Sequence, residues 1–459
     1  MDKKGLEIFL AVLQSIIVIL LVYFLSFVRE TELERSSMVI LYLLHFFVFY
    51  FSSYGNKFFK RGYLVEFNST IRYIFFFAIA ISVLNFFIAE RFSISRRGMV
   101  YFLTLEGISL YLLNFLVKKY WKHVFFNPKN SKKILLLTVT ENIEKVLDKL
   151  LESDELSWKL VAVSVLDKSD FQHDKIPVIE KEKIIEFATH EVVDEVFVDL
   201  PGESYDIGEI ISKLETMGIT MGIDVTVNLN AFNKNLGRNK QIHEIVGLNV
   251  VTFSTNFYKT SHVISKRILD ICGATIGLIL FAIASLVLVP LIRKDGGPAI
   301  FAQTRIGKNG RHFTFYKFRS MRIDAEAIKE QLMDQNTMRG GMFKMDNDPR
   351  VTKIGRFIRK TSLDELPQFW NVFIGDMSLV GTRPPTVDEY DQYTPEQKRR
   401  LSFKPGITGL WQGSGRSKIT DFDDVVKLDV AYIDNWTIWK DIEILLKTVK
   451  VVFMRNGAK

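Results

Sequence analysis

Residues 271–292, ICGATIGLILFAIASLVLVPLI, run for 22 positions without a charge. As a helix rising about 1.5 Å per residue, this run is as long as a bilayer's hydrocarbon core is thick. Apolar runs also occupy 6–27, which carries a single acid, and the neighbourhoods of 37–54, 71–89 and 99–117. A buried helical core in a soluble protein is the competing reading of those four. The first lacks a small-residue cleavage site and is followed by others, so it reads as an anchor rather than a cleaved leader. Four spans would leave both ends of the bundle on one side. That side carries eight basic residues (Lys3, Lys4, Lys57, Lys60, Arg61, Lys118, Lys119, Lys122), against five in the alternate loops (Arg29, Arg35, Arg91, Arg96, Arg97), which favours both ends inside.

The run at 271–292 has Lys266 and Arg267 before it and Arg293 and Lys294 after it. Basic residues at both ends fit a segment that enters and leaves on the same cytoplasmic face. A full crossing would place everything after it on the outer side. A re-entrant or interfacial hairpin is therefore expected over 271–292 in preference to a fifth span, with Gly277 and Ser285 as weak points besides Pro290 near the exit.

Between these regions the pattern changes. KKILLLTVT, WKLVAVSVL, EVVDEVFVDL and GITMGIDVTV read as strands, and ENIEKVLDKLLES, EKIIEFATH and IGEIISKLETM between them as helices. This alternation predicts a doubly wound, mostly parallel sheet, a Rossmann-like α/β domain over 130–250. Its first strand-to-helix turn, TVTEN, has none of the glycines that let backbone approach a pyrophosphate, so NAD is not expected and a regulatory or architectural role is.

The formal charge is +8, which in a chain with apolar runs suggests an anionic membrane surface or a phosphorylated substrate at least as readily as nucleic acid. One cysteine, Cys272, excludes an intramolecular disulfide and fits a reducing compartment. Seven scattered histidines make no zinc spacing, so any metal should be a hard, oxygen-bound one.

The stretch from Arg293 to Arg322 holds eight Lys or Arg and one acid, Asp295. Within FTFYKFR, period-2 alternation is expected to put Lys317 and Arg319 on one strand face and the aromatics on the other. The basic field resumes at Arg350, Lys353, Arg356, Arg359 and Lys360, then meets the acidic pair Asp364-Glu365 in TSLDELPQFW. Ser362-x-x-Glu365 has the spacing of a capping box, and Pro367 would kink that helix or mark its real start. Arg383 in GDMSLVGTRPP and Arg416 in KPGITGLWQGSGRS lie in Gly- and Pro-rich loops that can hold a guanidinium toward phosphate. Adjacent acids beside many cations suit chemistry on a diphosphate. One carboxylate can attack phosphorus and the other hold Mg²⁺, while the cations remove the repulsion and keep the nucleophile ionised.

KFRSM, RKTSLDELPQFWNV, GDMSLVGTRP and KPGITGLWQGSGR resemble, in order, the motifs of the bacterial sugar transferase family, monotopic polyprenyl-phosphate sugar-1-phosphate transferases. The whole chain resembles the large form that initiates capsular or exopolysaccharide synthesis. The resemblance implies a multi-domain membrane protein. Four transmembrane helices would occupy 1–120, the Rossmann-like domain 130–250, and an α+β catalytic domain 262–459, with its membrane hairpin at 271–292. It implies that Asp364 attacks the sugar-bearing phosphate of a UDP-sugar and releases UMP. Undecaprenyl phosphate would then take the phosphosugar. Glu365 would bind Mg²⁺; Lys317, Arg319, Arg359, Arg383 and Arg416 would contact substrate. Glucose is the sugar expected from family frequency, with galactose second. Site, lipid substrate and apolar runs together imply a catalytic domain on the cytoplasmic face of the bacterial plasma membrane. Self-association and polysaccharide-assembly proteins are candidate further contacts.

The chain departs from the family pattern in three places. No Ser-Pro pair stands mid-segment near Ala282-Ile283, Thr382 replaces a proline beside Arg383, and Gly413 stands where a larger residue is common. Two rivals are a non-catalytic scaffold of polysaccharide assembly and a NAD-dependent membrane oxidoreductase or epimerase. The C-terminal segment WTIWKDIEILLKTVKVVFMRNG reads as an interfacial helix or an ordinary amphipathic one.

Overall fold

The computed structural model describes residues 3–454, apart from 30–34, 57, 59–60, 88–95, 126–130, 153–157, 169–170, 175, 201–206, 225–238, 246–247, 255–257, 259, 330–344, 346–347 and 414–420. The chain divides into two compact units, Met1–Asn130 and Ser131–Lys459.

The first unit contains helices Lys3–Arg29, Arg35–Phe51, Tyr63–Phe87 and Arg96–Phe125. Large apolar side chains point outward, Phe86 being 81% and Leu64 76% exposed. The interior is an apolar core that includes Leu41, Phe49, Phe77 and Leu110, with a hydrogen-bonded polar cluster set into it. Asn114 donates to Tyr54 and Glu66, and Lys118 donates to Glu66 at 2.7 Å. Exposed apolar side chains, with these four buried polar side chains paired, suit a lipid solvent. Among the described residues, Tyr63–Phe87, Arg97–Lys119 and Ser261–Ile292 are long and apolar enough to cross a membrane; Leu10–Phe24 and Val39–Phe51 are shorter apolar helices.

The second unit begins with a mixed six-stranded sheet of order β2-β1-β3-β4-β6-β5. Its strands are β1 Lys132–Thr138, β2 Trp158–Val165, β3 Glu195–Val198, β4 Thr220–Asp224, β5 Asn239–Ile245 and β6 Leu248–Ser254. The first four are parallel, as the alternating pattern predicts, because the helices between them force crossovers. β6 runs antiparallel to β4, and β5 to β6, a closing pair outside the strands read from the pattern.

Residues 260–292 then form one helix, Thr260–Ile292. No turn interrupts it, so the hairpin expected over 271–292 is replaced by a continuous helix. The reason is the absence of a mid-segment Ser-Pro pair: the only proline in the run, Pro290, stands two residues from the helix end, so any bend it makes falls at the exit. Ser285, one of the expected weak points, bonds back to the Phe281 carbonyl at 2.7 Å within the same helix.

Both ends of this helix are fastened to the fold that follows it. At the first, Lys266 donates to the Val380 carbonyl and to buried Asp441, and Asp270 accepts from Ser378 and the Leu379 N–H. At the other, Arg319 donates to the Ile292 carbonyl at 2.9 Å. In between, Gly277 meets Phe369: a Cβ there would stand 2.2 Å from the ring. We expect Gly277→Ala to lower stability by about 1–3 kcal/mol through overpacking, read as a lower thermal midpoint in detergent. An unchanged midpoint would show that the helix does not depend on this contact.

Around the helix stand an antiparallel hairpin, β7 Ile300–Ile306 with β8 His312–Phe318, and a short parallel pair, β9 Ser378–Val380 with β10 Gly406–Thr408. The hairpin turn also docks on the sheet domain, where Arg311 and Asn309 both donate to Asp194. Near the C-terminus, helix Ile438–Met454 exposes Trp439, while Trp436 just before it is buried and donates to Asp441.

Candidate active site

Asp364 and Glu365 lie in a tight turn, Leu363–Glu365, between helices Lys353–Lys360 and Gln368–Ile374. The capping box expected from Ser362-x-x-Glu365 does not form. Ser362 adopts φ 55°, ψ 17°, and its side chain caps nothing. A left-handed residue reverses the chain after the first helix, whereas an N-cap needs extended backbone. Pro367 marks the real start of the next helix, its fixed φ of −61° already helical. Asp364 therefore sits on a turn that two helices brace, not inside a helix.

The following helix is pinned in three places. Arg267 donates to the carbonyls of Val372 and Phe373, and Lys404 to that of Gly375, which satisfies its last turn. Asn371, fully buried, donates to the Thr314 carbonyl at 2.6 Å and accepts from the Tyr316 N–H. That bridge sets strand β8 against the acidic turn and delivers Lys317 to it. Lys317 Nζ lies 3.4 Å from Glu365 Oε1 and 3.7 Å from Asp364 Oδ2. Sequence reasoning missed Asn371, although an amide inside the apolar run FWNVF was its available signal.

The structure sorts the expected basic residues into two groups. Lys317 and Arg359 accompany the acids: Arg359 is an electrostatic neighbour of Asp364, and its Nε donates to Ser320 Oγ at 2.8 Å. The helix carrying Arg359 lies so close to this strand end that a Cβ at Gly355 would stand 1.8 Å from the Ser320 carbonyl oxygen. Arg319 and Arg383 make other contacts. Arg319 reaches the end of the long helix, and Arg383 pairs with Glu389 at 3.5 Å. Arg416 lies outside the described residues. The expected separation of cations from aromatics on β8 also fails, because Phe315 shares the Lys317 face and lies under its ammonium at 5.6 Å. Residues two apart on a strand point the same way, so the odd positions of FTFYKFR carry both classes.

Asp364 is 7% exposed, and burial raises its carboxyl above the ordinary range; Glu365 adds to this, while Lys317 and Arg359 oppose it. The expectation that the basic field would dominate is thus reversed in the protein alone: desolvation is the larger effect. A further cation between the carboxylates would restore the balance. The donors present are hard oxygens, clustered where a lysine ammonium already stands. They fit Mg²⁺, which commonly takes one or two carboxylates and completes its shell with substrate phosphate and water. Among the described residues no group of three or more His, Cys, Asp or Glu could hold a metal without such help.

Residues 261–455 match the bacterial sugar transferase family. The chain is 47% identical over 444 residues to the galactosyl transferase CpsE of Streptococcus agalactiae, covering 95% of this chain and 97% of that protein. It is 37% identical over 337 residues to the undecaprenyl-phosphate galactose phosphotransferase of Salmonella typhimurium, covering 72% of this chain and 69% of that one. An Aeromonas hydrophila UDP-N-acetylgalactosamine-undecaprenyl-phosphate N-acetylgalactosaminephosphotransferase is 39% identical over 201 residues, or 42% of this chain and 45% of its own length. Similarity that extends beyond the matched catalytic region to almost the full chain, with the acidic turn and Lys317 assembled as described, makes this protein an enzyme that belongs to the bacterial sugar transferase family.

Proposed function

We propose that this enzyme transfers galactose 1-phosphate from UDP-galactose to undecaprenyl phosphate, releasing UMP, as the first step of capsular or exopolysaccharide assembly. The observation that carries the reaction is the buried Asp364 beside Glu365, with Lys317 within ion-pair distance of both. The names of the two long relatives support galactose, and the glucose expected from family frequency gives way to it. The apolar helices support a membrane enzyme with four N-terminal spans. The binding of both ends of Thr260–Ile292 to one fold supports a helix that does not carry the catalytic domain across, leaving that domain on the cytoplasmic face, where nucleotide sugars are found.

In the proposed course, an Asp364 carboxylate oxygen attacks the phosphorus that bears the sugar. The anhydride P–O bond breaks and UMP leaves with the electron pair. An oxygen of the lipid phosphate then attacks the same phosphorus, the aspartyl P–O bond breaks, and the free carboxylate returns with a lipid-linked diphosphosugar. Lys317 and Arg359 offset the charge gathered at the nucleophile, and Glu365 with Asp364 offers oxygen ligands to Mg²⁺. When bound, Mg²⁺ neutralises diphosphate charge and favours the leaving phosphate. One phosphoanhydride replaces another, so the exchange is nearly balanced in energy and needs no ATP.

Membranes containing the enzyme, given undecaprenyl phosphate, Mg²⁺ and one UDP-sugar at a time, should release UMP and form lipid product with UDP-galactose in preference to UDP-glucose. Release of UDP would mean glycosyl transfer and sink the mechanism; preference for UDP-glucose would sink the sugar assignment alone.

A further inference from the structure

The apolar helix ends at Leu291 and Ile292, and beside that end lies a cavity of about 300 Å³. Ile354 and Met321 complete its apolar wall, and Lys294, Lys353 and Arg319 supply its charge. Among the described residues no acid lines it. Lys294 and Lys353 are exposed, whereas Arg319 is 7% exposed and anchored on the Ile292 carbonyl. The helix Lys353–Lys360 also begins at this wall, so its positive end adds to the three cations. Apolar surface leads away on both sides: Leu286 and Val287 are 78% and 62% exposed one to two turns back along the long helix, and Phe357 is exposed one turn on along the shorter one.

A soluble nucleotide has no use for the hydrocarbon path, and an uncharged lipid would offer no counter-charge to Lys294 and Lys353. The chemistry that satisfies both is a phosphate monoester on a long apolar chain. The place suits the reaction as well. Lys353 and Arg359 lie six residues apart on one helix, about 9 Å along its axis, and Arg359 is the cation beside Asp364.

We propose that this cavity holds the phosphate head and adjoining chain of the lipid acceptor before it attacks the phosphosugar on Asp364. This rests on the two-step reaction proposed above. Lys294 and Lys353 hold the phosphate; Leu291, Ile292, Ile354 and Met321 receive the chain.

The test uses Lys294→Glu and Lys353→Glu in the full chain, in nanodiscs of neutral phosphatidylcholine. Each is expected to raise the acceptor KM by at least about tenfold, as for loss of one charge-assisted contact. KM for the UDP-sugar and the single UMP released per enzyme without acceptor should remain as in the wild type. Ile354→Trp, which fills the cavity and keeps every charge, should raise the acceptor KM with no fall in thermal midpoint. Unchanged acceptor KM in all three variants overturns the proposal. Farnesyl phosphate should compete with the acceptor in the wild type and much less in Lys353→Glu. Equal competition by inorganic phosphate would make this a free-phosphate site, and equal competition by phosphatidylglycerol a general anionic-lipid site; either result overturns the assignment. Failure of the wild type to release UMP without acceptor refutes the covalent two-step reading instead, and is told apart by its independence of the cavity variants.

Discussion

Asp364→Asn should abolish turnover, with UMP release and lipid-linked product both falling by on the order of 10⁴-fold or more, the scale on which loss of a nucleophile is felt. The amide keeps the size of the carboxylate but cannot form the acyl phosphate. Stability should move the other way or not at all. Asp364 is buried, and desolvation already raises its carboxyl, so a neutral isostere removes a charge that the fold bears at a cost. Glu365 remains 3.4 Å from Lys317, so the lysine keeps a partner. The measurement is UMP release beside the thermal midpoint of the same preparation. Wild-type turnover in the variant would remove Asp364 from the reaction; lost turnover with a collapsed midpoint would assign it a structural role. A non-catalytic scaffold would keep its cellular phenotype in this variant.

The second large effect is expected at Arg400, which is 2% exposed and among the largest fully buried side chains of the protein. Its Nε and Nη2 donate to Asp429, its Nη1 to the Tyr393 hydroxyl, and its Nη2 also to the Arg383 carbonyl at 3.2 Å. Thr382, which replaces the usual proline, donates its hydroxyl to the Arg400 carbonyl at 3.1 Å. One arginine therefore holds a carboxylate of helix Phe422–Asp434 and the backbone of the GTRPP loop together. Arg400→Met leaves the Asp429 charge buried and uncompensated, which should cost about 3–5 kcal/mol, and it releases the Arg383 loop. A double variant, Arg400→Met with Asp429→Leu, should recover most of the lost stability, because it removes both charges and fills the space. Thermal midpoints of the wild type and the two variants decide the matter. A single variant as stable as the wild type would show that the pair contributes nothing. A double variant as unstable as the single would place the cost in packing rather than in charge.

Much of the architecture was legible because it follows from local periodicity. Apolar runs long enough to cross a bilayer, and the βαβ alternation from Lys132 to Asp224, need only neighbours in sequence to be recognised. The closing pair β5 and β6 was missed because no helix separates them and they carry polar residues such as Gln241, His243 and Asn249. Spacing misled at two points for the same reason. Ser362 and Glu365 have the interval of a capping box, but a positive φ at Ser362 makes one impossible. Lys317 and Arg319 share a strand parity, yet β8 ends at Phe318, and Arg319 turns to the long helix while Lys317 meets the acids.

The amino-acid sequence by itself determined the ingredients: an acidic pair at the edge of a basic field, arginines in glycine-rich loops, and apolar helices that bring the chain to a membrane. Composition and short-range pattern specify those because they depend on residues a few positions apart. Only the tertiary structure decided which cations serve the acids. Lys317 comes from a strand 47 residues earlier than Asp364 and arrives because Asn371 bonds to that strand's backbone, while Arg319, two residues further on, is drawn to a helix end. Coulomb attraction falls with distance and is screened by water, so a charge acts on chemistry only where burial and backbone contacts hold it close. TSLDELPQFW announces its two acids in sequence; the fold supplies their partners.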